Sequence, residues 1–209
     1  MLNIQRKPQS LNLLTAYRIA ALCSCLFAVM ATPAHGQTAN STDAETPAHK
    51  YFTDVVLVNQ DGQSMRFYSD LIKGKVVIIE SFFSTCQGSC LPMNRNLAKL
   101  QEALGDHVGK DVYIISISVD SSMDTPARLK QYAKKLNARP GWYFLTGEKQ
   151  DVDFALNKIG QYVSDKQDHL NIFIIGNERT GLWKKAFGLA PSDQLVKVVE
   201  SVLNDQPPN

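Results

Sequence analysis

Three short runs constrain this chain most: KVVIIESFF at 75–83, VYIISISV at 112–119 and LNIFII at 170–175. Each is apolar on successive residues, not alternate ones, and each is rich in β-branched side chains. A run of that kind buries both of its faces, as the central strands of a sheet covered on both sides do. Between the runs the apolar period lengthens. From Pro92 onward, Met93, Leu97, Leu100 and Leu104 share one helical face, and Gly105 closes the segment. Asp124-Thr125-Pro126 opens a second helix through Leu136, with Pro126 in its first turn. Residues 151–159 read as a third helix. Residues 192–203 form a closing one, with Leu195, Val198, Val199 and Leu203 apolar. A strand is expected at 142–145, and another at 182–187, turned back from 170–175 through 177–181. Near the start of the domain, 55–58 and 65–68 flank Asn59-Gln60-Asp61-Gly62 as a short hairpin. Strands alternating with helices, ended by a hairpin and a helix, specify an α/β sandwich with a mixed central sheet and an N-terminal β-hairpin. The domain is expected to span 51–204, with 205–209 a frayed tail.

The first 36 residues read differently. Arg6, Lys7 and Arg18 precede an apolar run at 19–31, small residues Ala34 and Gly36 follow, and no acid occurs before Asp43. That order is the pattern of a secretory signal peptide cut before Gln37. The run is shorter than the ~20 residues a membrane-spanning helix needs. An uncleaved anchor reaching back through 11–14 would have to carry Arg18 in the membrane, so cleavage is the expectation. The protein is then periplasmic, or, if uncleaved, tethered to the outer face of the inner membrane. Residues 37–50 (QTANSTDAETPAHK) are small and polar and read as a flexible tether. Three of the 22 basic residues and none of the 20 acidic ones fall before residue 37, which leaves the remainder at −1. A near-neutral domain gives no support for nucleic-acid or membrane-surface binding.

Cys23 and Cys25 lie inside the apolar run of the signal, so the exported domain keeps only Cys86 and Cys90. Two thiols four residues apart close too small a loop to act as a scaffold disulfide. They are expected to be reactive or metal-binding. Ser84-Thr85-Cys86-Gln87-Gly88-Ser89-Cys90 lies between a buried strand and a helix, where backbone N–H groups and the helix end favour a thiolate. A helix beginning by Gln87 would put both sulfurs on one face. Six residues before Cys86, Glu80 interrupts an apolar strand. A buried carboxylate there is costly unless paired or protonated, and it is a candidate proton relay to the thiols; the competing reading has it on a wet face or meeting a lysine. Thioredoxins place a buried acid at the same spacing before their first cysteine. Of the histidines left after cleavage, His49 falls in the tether and His107 follows Gly105; both are expected to be solvated. His169 ends the polar loop SDKQDH and opens a strand.

These features together resemble the SCO/SenC family, thioredoxin-fold copper proteins that assist assembly of cytochrome c oxidase. The resemblance covers most of 52–203. It is carried by TCQGSC, by Ser118-Val119-Asp120 running into Asp124-Thr125-Pro126 and Leu129-Lys130-Gln131-Tyr132-Ala133, by Leu145-Thr146-Gly147, and by Asp168-His169 before a strand. It implies a thioredoxin-like sandwich and a copper site made by Cys86, Cys90 and His169. Two thiolates suit Cu(I), and an added imidazole makes the site acceptable to Cu(II). The implied partners are a copper-site subunit of cytochrome c oxidase or another copper protein, and a periplasmic thiol reductant that keeps both cysteines reduced. Membrane contact is implied only if the N-terminal segment is uncleaved. Two positions depart from the family. Leu91 stands where a proline usually follows the second cysteine, and Leu170 where a small or polar residue often follows the histidine. Met93 is expected in the core instead of serving as a further soft ligand, and Asp168 is a candidate to orient the imidazole.

Three functions remain open on these residues. The first is a copper-binding metallochaperone. The second is a thiol–disulfide oxidoreductase with Cys86 attacking, Cys90 resolving and Glu80 assisting. The third is a peroxiredoxin-like peroxidase, disfavoured because no proline lies a few residues upstream of Thr85-Cys86 to complete that pattern. No proline occurs at 164–170 either, which separates the chain from an ordinary thioredoxin.

Overall fold

Strand β3 (Val76–Phe82) shows why the sheet forms as it does: all seven of its residues are buried. It pairs in parallel with β4 (Val112–Ser118), from Val76 opposite Val112 to Phe82 opposite Ser118. β4 pairs in parallel with β5 (Trp142–Thr146). On its other side β3 meets β6 (Ile172–Asn177) antiparallel, and β6 turns back into β7 (Leu182–Phe187). The hairpin of β1 (Val56–Asn59) and β2 (Ser64–Arg66) adds antiparallel to the edge at β5. The order across the seven-stranded sheet is β2-β1-β5-β4-β3-β6-β7. This computed structural model describes residues 46–207. The expected thioredoxin-like α/β sandwich, mixed sheet and N-terminal hairpin are all present. The apolar run at 19–31, with Cys23 and Cys25 and the cleavage point, lies outside the described residues.

Strand alternation divides the core in two. Val76, Ile78 and Phe82 point to the face covered by α2 (Cys90–Leu104), α3 (Pro126–Lys135) and α5 (Ser192–Leu203), where Met93, Leu97, Leu100, Leu129, Leu195 and Val199 pack. Val77 and Ile79 point to the opposite face, covered by α1 (Pro47–Phe52) and α4 (Lys149–Lys158). Each fully buried Leu, Ile or Phe contributes about 1.5–3 kcal/mol. By the same parity Glu80 shares the face of Ile78 and Phe82, the face on which Cys90 is buried.

Several boundaries differ from the sequence reading, each for a local reason. Residues 47–50, expected in the tether, belong to α1. Thr46 accepts the backbone N–H of His49 and Pro47 occupies the first turn, which together start a helix. His49 is correspondingly not free: its ring stacks on Tyr68 at 4.9 Å and its Nε2 lies 3.2 Å from Asp54. The second hairpin strand stops at Arg66, and Phe67–Ile72 forms a turn of π-helix. Phe67, Tyr68, Leu71 and Ile72 are all buried in one core, which a strand's alternation cannot achieve. The Asp54 carboxylate holds this turn by accepting from the Ser69 backbone and hydroxyl. α2 begins at Cys90, two residues before the expected Pro92. Pro92 then falls in the first turn, where a missing N–H costs nothing. β6 begins at Ile172, so His169 precedes the strand by three residues and terminates a short 3₁₀ turn, Lys166–Asp168.

Candidate metal and thiol centre

The site forms where β3 ends. Cys86 lies in the loop after the strand, its N–H donating to the Phe83 carbonyl at 3.1 Å. Cys90 is the first residue of α2 and is 1% exposed, whereas Cys86 is half-buried. The two sulfurs therefore come together from a loop and a helix, not from one helical face as the expectation had it. Asp124 fixes that loop: its buried carboxylate accepts from the Ser84 backbone at 2.9 Å, from the Ser84 hydroxyl, and from the Ser118 hydroxyl at 2.6 Å.

His169 arrives from the loop before β6. Its Nε2 lies 3.0 Å from Cys90 Sγ, and its Nδ1 lies 3.1 Å from the Lys166 carbonyl. A carbonyl only accepts, so Nδ1 carries the proton and Nε2 presents a bare lone pair to the sulfur. Burial lowers the imidazole pKa and favours this neutral form. The ring stands edge-on to Phe83 at 5.4 Å. Lys166 steadies the loop as well: its ammonium donates to Asp120 at 2.7 Å and lies 5.4 Å from the Phe83 ring centroid. Orientation of the imidazole thus comes from the Lys166 carbonyl and not from the carboxylate of Asp168, the candidate from sequence.

The ligand atoms of Cys86, Cys90 and His169 all lie within 4.8 Å of one another, a group that could hold one metal ion. The donor set fits a soft ion with some tolerance for a borderline one. Met93 is fully buried and packs on Gly188, where a side chain would collide with it. The Cys90 thiol departs from expectation in its acidity. Burial first, then the neighbouring Cys86 thiol, push its pKa well above the ordinary value, because enclosure in the core outweighs the helix end. At 3.0 Å its S–H donates to the bare Nε2 of His169.

Glu80 is fully buried, so it does not lie on a wet face, and no lysine pairs with it among the described residues. Ser116 donates to its Oε1 at 2.8 Å and itself accepts the Trp142 indole N–H at 3.0 Å, while Oε2 has no partner among the described residues. Burial pushes the carboxyl up to about 8, so it is protonated at neutral pH. His107 lies outside the cluster, exposed and 2.8 Å from Asp111. Sequence reasoning missed the supporting roles of Asp124, Ser116, Lys166 and Asp120. The first and last were visible only as parts of the SVD and DTP motifs.

Comparison with known proteins agrees with this geometry. The SCO1/SenC family matches residues 40–203. The chain is 31% identical over 154 residues to the SCO1 protein homolog of Bacillus subtilis, covering 68% of this chain and 78% of that one. It superposes on BsSco, described as a member of the Sco family of cytochrome c oxidase assembly proteins with a disulfide switch. There the TM-score is 0.60 at 29% identity, over 72% of this chain and 92% of the other. Yeast Sco1 with copper bound gives a TM-score of 0.60 at 25% identity, over 73% and 92%. On the extent of the family match and the identity to the Bacillus subtilis homolog, this chain belongs to the SCO1/SenC family.

Proposed function

We propose that the protein binds copper through Cys86, Cys90 and His169, and carries or holds it for a copper site of a cytochrome c oxidase outside the cytoplasm. The observation that supports this most directly is the Nε2 lone pair of His169, 3.0 Å from the Cys90 sulfur, with the donor atoms of Cys86, Cys90 and His169 all within 4.8 Å of one another. An ordinary dithiol reductase has no need of that imidazole. The copper bound to yeast Sco1 and the oxidase-assembly role of the Sco family support the cargo and its destination. An exported location rests on the signal-like first 36 residues. No helix among the described residues is long and apolar enough to cross a membrane.

Titration of the reduced protein with Cu(I) and Cu(II) tests the proposal. One equivalent is expected to bind. Cys86→Ser and Cys90→Ser are each expected to lower affinity by more than the ~10–100-fold that loss of an outer-shell partner costs. His169→Ala is expected to abolish the Cu(II) thiolate charge-transfer band while Cu(I) stays on two sulfurs. A His169→Ala protein with unchanged spectrum and affinity would remove the imidazole from the site. Lys166→Met, which leaves Asp120 without its cation, is expected to shift the Cu(II) spectrum with little effect on Cu(I) affinity. An unshifted spectrum would mean that the loop keeps its place without the ion pair.

A second reading, thiol–disulfide exchange at Cys86 and Cys90, is favoured by one specific observation. A protonated carboxyl, Glu80, is buried on the same sheet face as Cys90, where it can give and take a proton. The disulfide switch described for BsSco supports it. Reduction of a partner disulfide by the reduced protein, whose own two thiols become a disulfide, is the expected result, lost in both cysteine variants and slowed in Glu80→Gln. No reduction of any partner disulfide would sink this reading while leaving the copper titration untouched.

A further inference from the structure

A cleft beside the cysteine loop carries charge with no counterpart. Ser84 and Thr85 form one wall, and Arg128, Gln131, Tyr132 and Lys135 of α3 the other, around about 230 Å³. Both charged residues are cations, and no acid lines the cleft. Arg128 sits in the first turn of α3, where its backbone N–H goes to Thr125. Its side-chain Nη1 is enclosed and has no hydrogen-bond partner among the described residues. An enclosed guanidinium nitrogen without an acceptor is costly, and native folds rarely leave one. Asp124, which shares Ser84 with this cleft, does not serve it, because both of its oxygens are engaged by Ser84 and Ser118. The cleft thus offers a guanidinium and an ammonium, and its wall residue Thr85 directly precedes Cys86, the more accessible of the two thiols.

We propose that this cleft is an anion subsite, which seats a carboxylate carried by the thiol that reduces a Cys86–Cys90 disulfide. The inference rests on the second reading above. A planar guanidinium matches the two oxygens of a carboxylate, and the neighbouring ammonium adds a point charge. The incoming thiolate attacks the Cys86 sulfur, since Cys90 is enclosed. The S–S bond breaks and its electron pair leaves on the Cys90 sulfur, which takes up a proton. A second molecule of the thiol then attacks the sulfur of the first. Cys86 leaves as a thiolate and is protonated, and the disulfide of the reductant departs. Two reductant thiols are oxidised and one protein disulfide becomes two thiols.

The test uses the oxidised full chain and three small thiols of similar reach: 3-mercaptopropionate, 2-mercaptoethanol and cysteamine, with rates expressed per thiolate. At low ionic strength the anionic thiol is expected to react about tenfold faster than the neutral one, and the cationic thiol more slowly than either. In Arg128→Gln/Lys135→Gln, and in wild type at high salt, the anionic-to-neutral ratio is expected to fall to about one. Lys130→Gln removes a cation from the same helix, one that pairs with Asp61 at 3.0 Å, and is expected to keep the wild-type ratio. Equal rates for the three thiols in wild type, or a ratio that survives the double substitution, would overturn the subsite. If no disulfide forms, or 2-mercaptoethanol cannot reduce it, the redox reading fails, and thiol titration distinguishes that result from a missing charge preference.

Discussion

Asp124→Ala is expected to cost about 3 kcal/mol of stability and to loosen the metal and thiol centre with it. Three groups lose their acceptor at once: the Ser84 N–H, the Ser84 hydroxyl and the Ser118 hydroxyl. Hydrogen bonds to a charged acceptor are worth about 1.5–3 kcal/mol each, and an orphaned buried donor adds a penalty of its own. The lost desolvation cost of the carboxylate and reorientation of the hydroxyls offset part of that sum, which leaves the total near 3 kcal/mol. Ser84 lies two residues before Cys86, so the freed loop no longer presents that sulfur at a set distance from Cys90. Denaturant unfolding with an unchanged m-value, alongside copper titration, measures both effects. A loss below about 1 kcal/mol would show that the loop is held by something other than this carboxylate.

The second large effect is a pH dependence carried by one buried group. Burial raises Glu80 from an ordinary 4.5 to about 8 in the folded protein. Between those values the folded state keeps a proton that the unfolded state has released, so stability is complete below about 4.5 and falls as pH rises towards 8. The slope is about 1.4 kcal/mol per pH unit, on the order of 4–5 kcal/mol across the window. Glu80→Gln keeps an acceptor for Ser116 and has no proton to lose. The metal-free, reduced variant is therefore expected to lack this decline, its advantage over wild type growing between pH 4.5 and 8. Parallel stability curves for the two proteins across that range would show that Glu80 is not buried as a protonated acid.

The sheet was readable because its strands are extreme. In VVIIESF every side chain is buried, and a run of that composition admits few alternatives. The π-helical turn at Phe67–Ile72 was not readable, because FYSDLI has neither a strand's alternation nor a full helical period. Glu80 was found by contrast, as a charge in an apolar run. The position of His169 could not be derived in that way. Its partner Cys90 lies 79 residues earlier, and nothing periodic links a polar loop to a distant helix start. Only resemblance to a family supplied the connection. The imidazole is set by a backbone carbonyl, which any residue at 166 would provide, so no side-chain identity could announce it. From sequence, Asp124 marks only a helix start. Its carboxylate instead faces back across the sheet end to Ser84, a contact that depends on the parallel pairing of β3 and β4.

The three donors are held with very different firmness. Cys90 is rooted in the first turn of a packed helix, and Cys86 in a loop clamped by a buried carboxylate. His169 hangs on a backbone contact, an aromatic edge and the part-exposed pair of Lys166 with Asp120. An ion pair of that exposure is worth about 1 kcal/mol or less. The centre therefore behaves as two fixed jaws and a latch. On the proposed copper-carrying function, a partner that displaced His169 would gain a coordination position on the metal while the sheet and the helices stayed assembled.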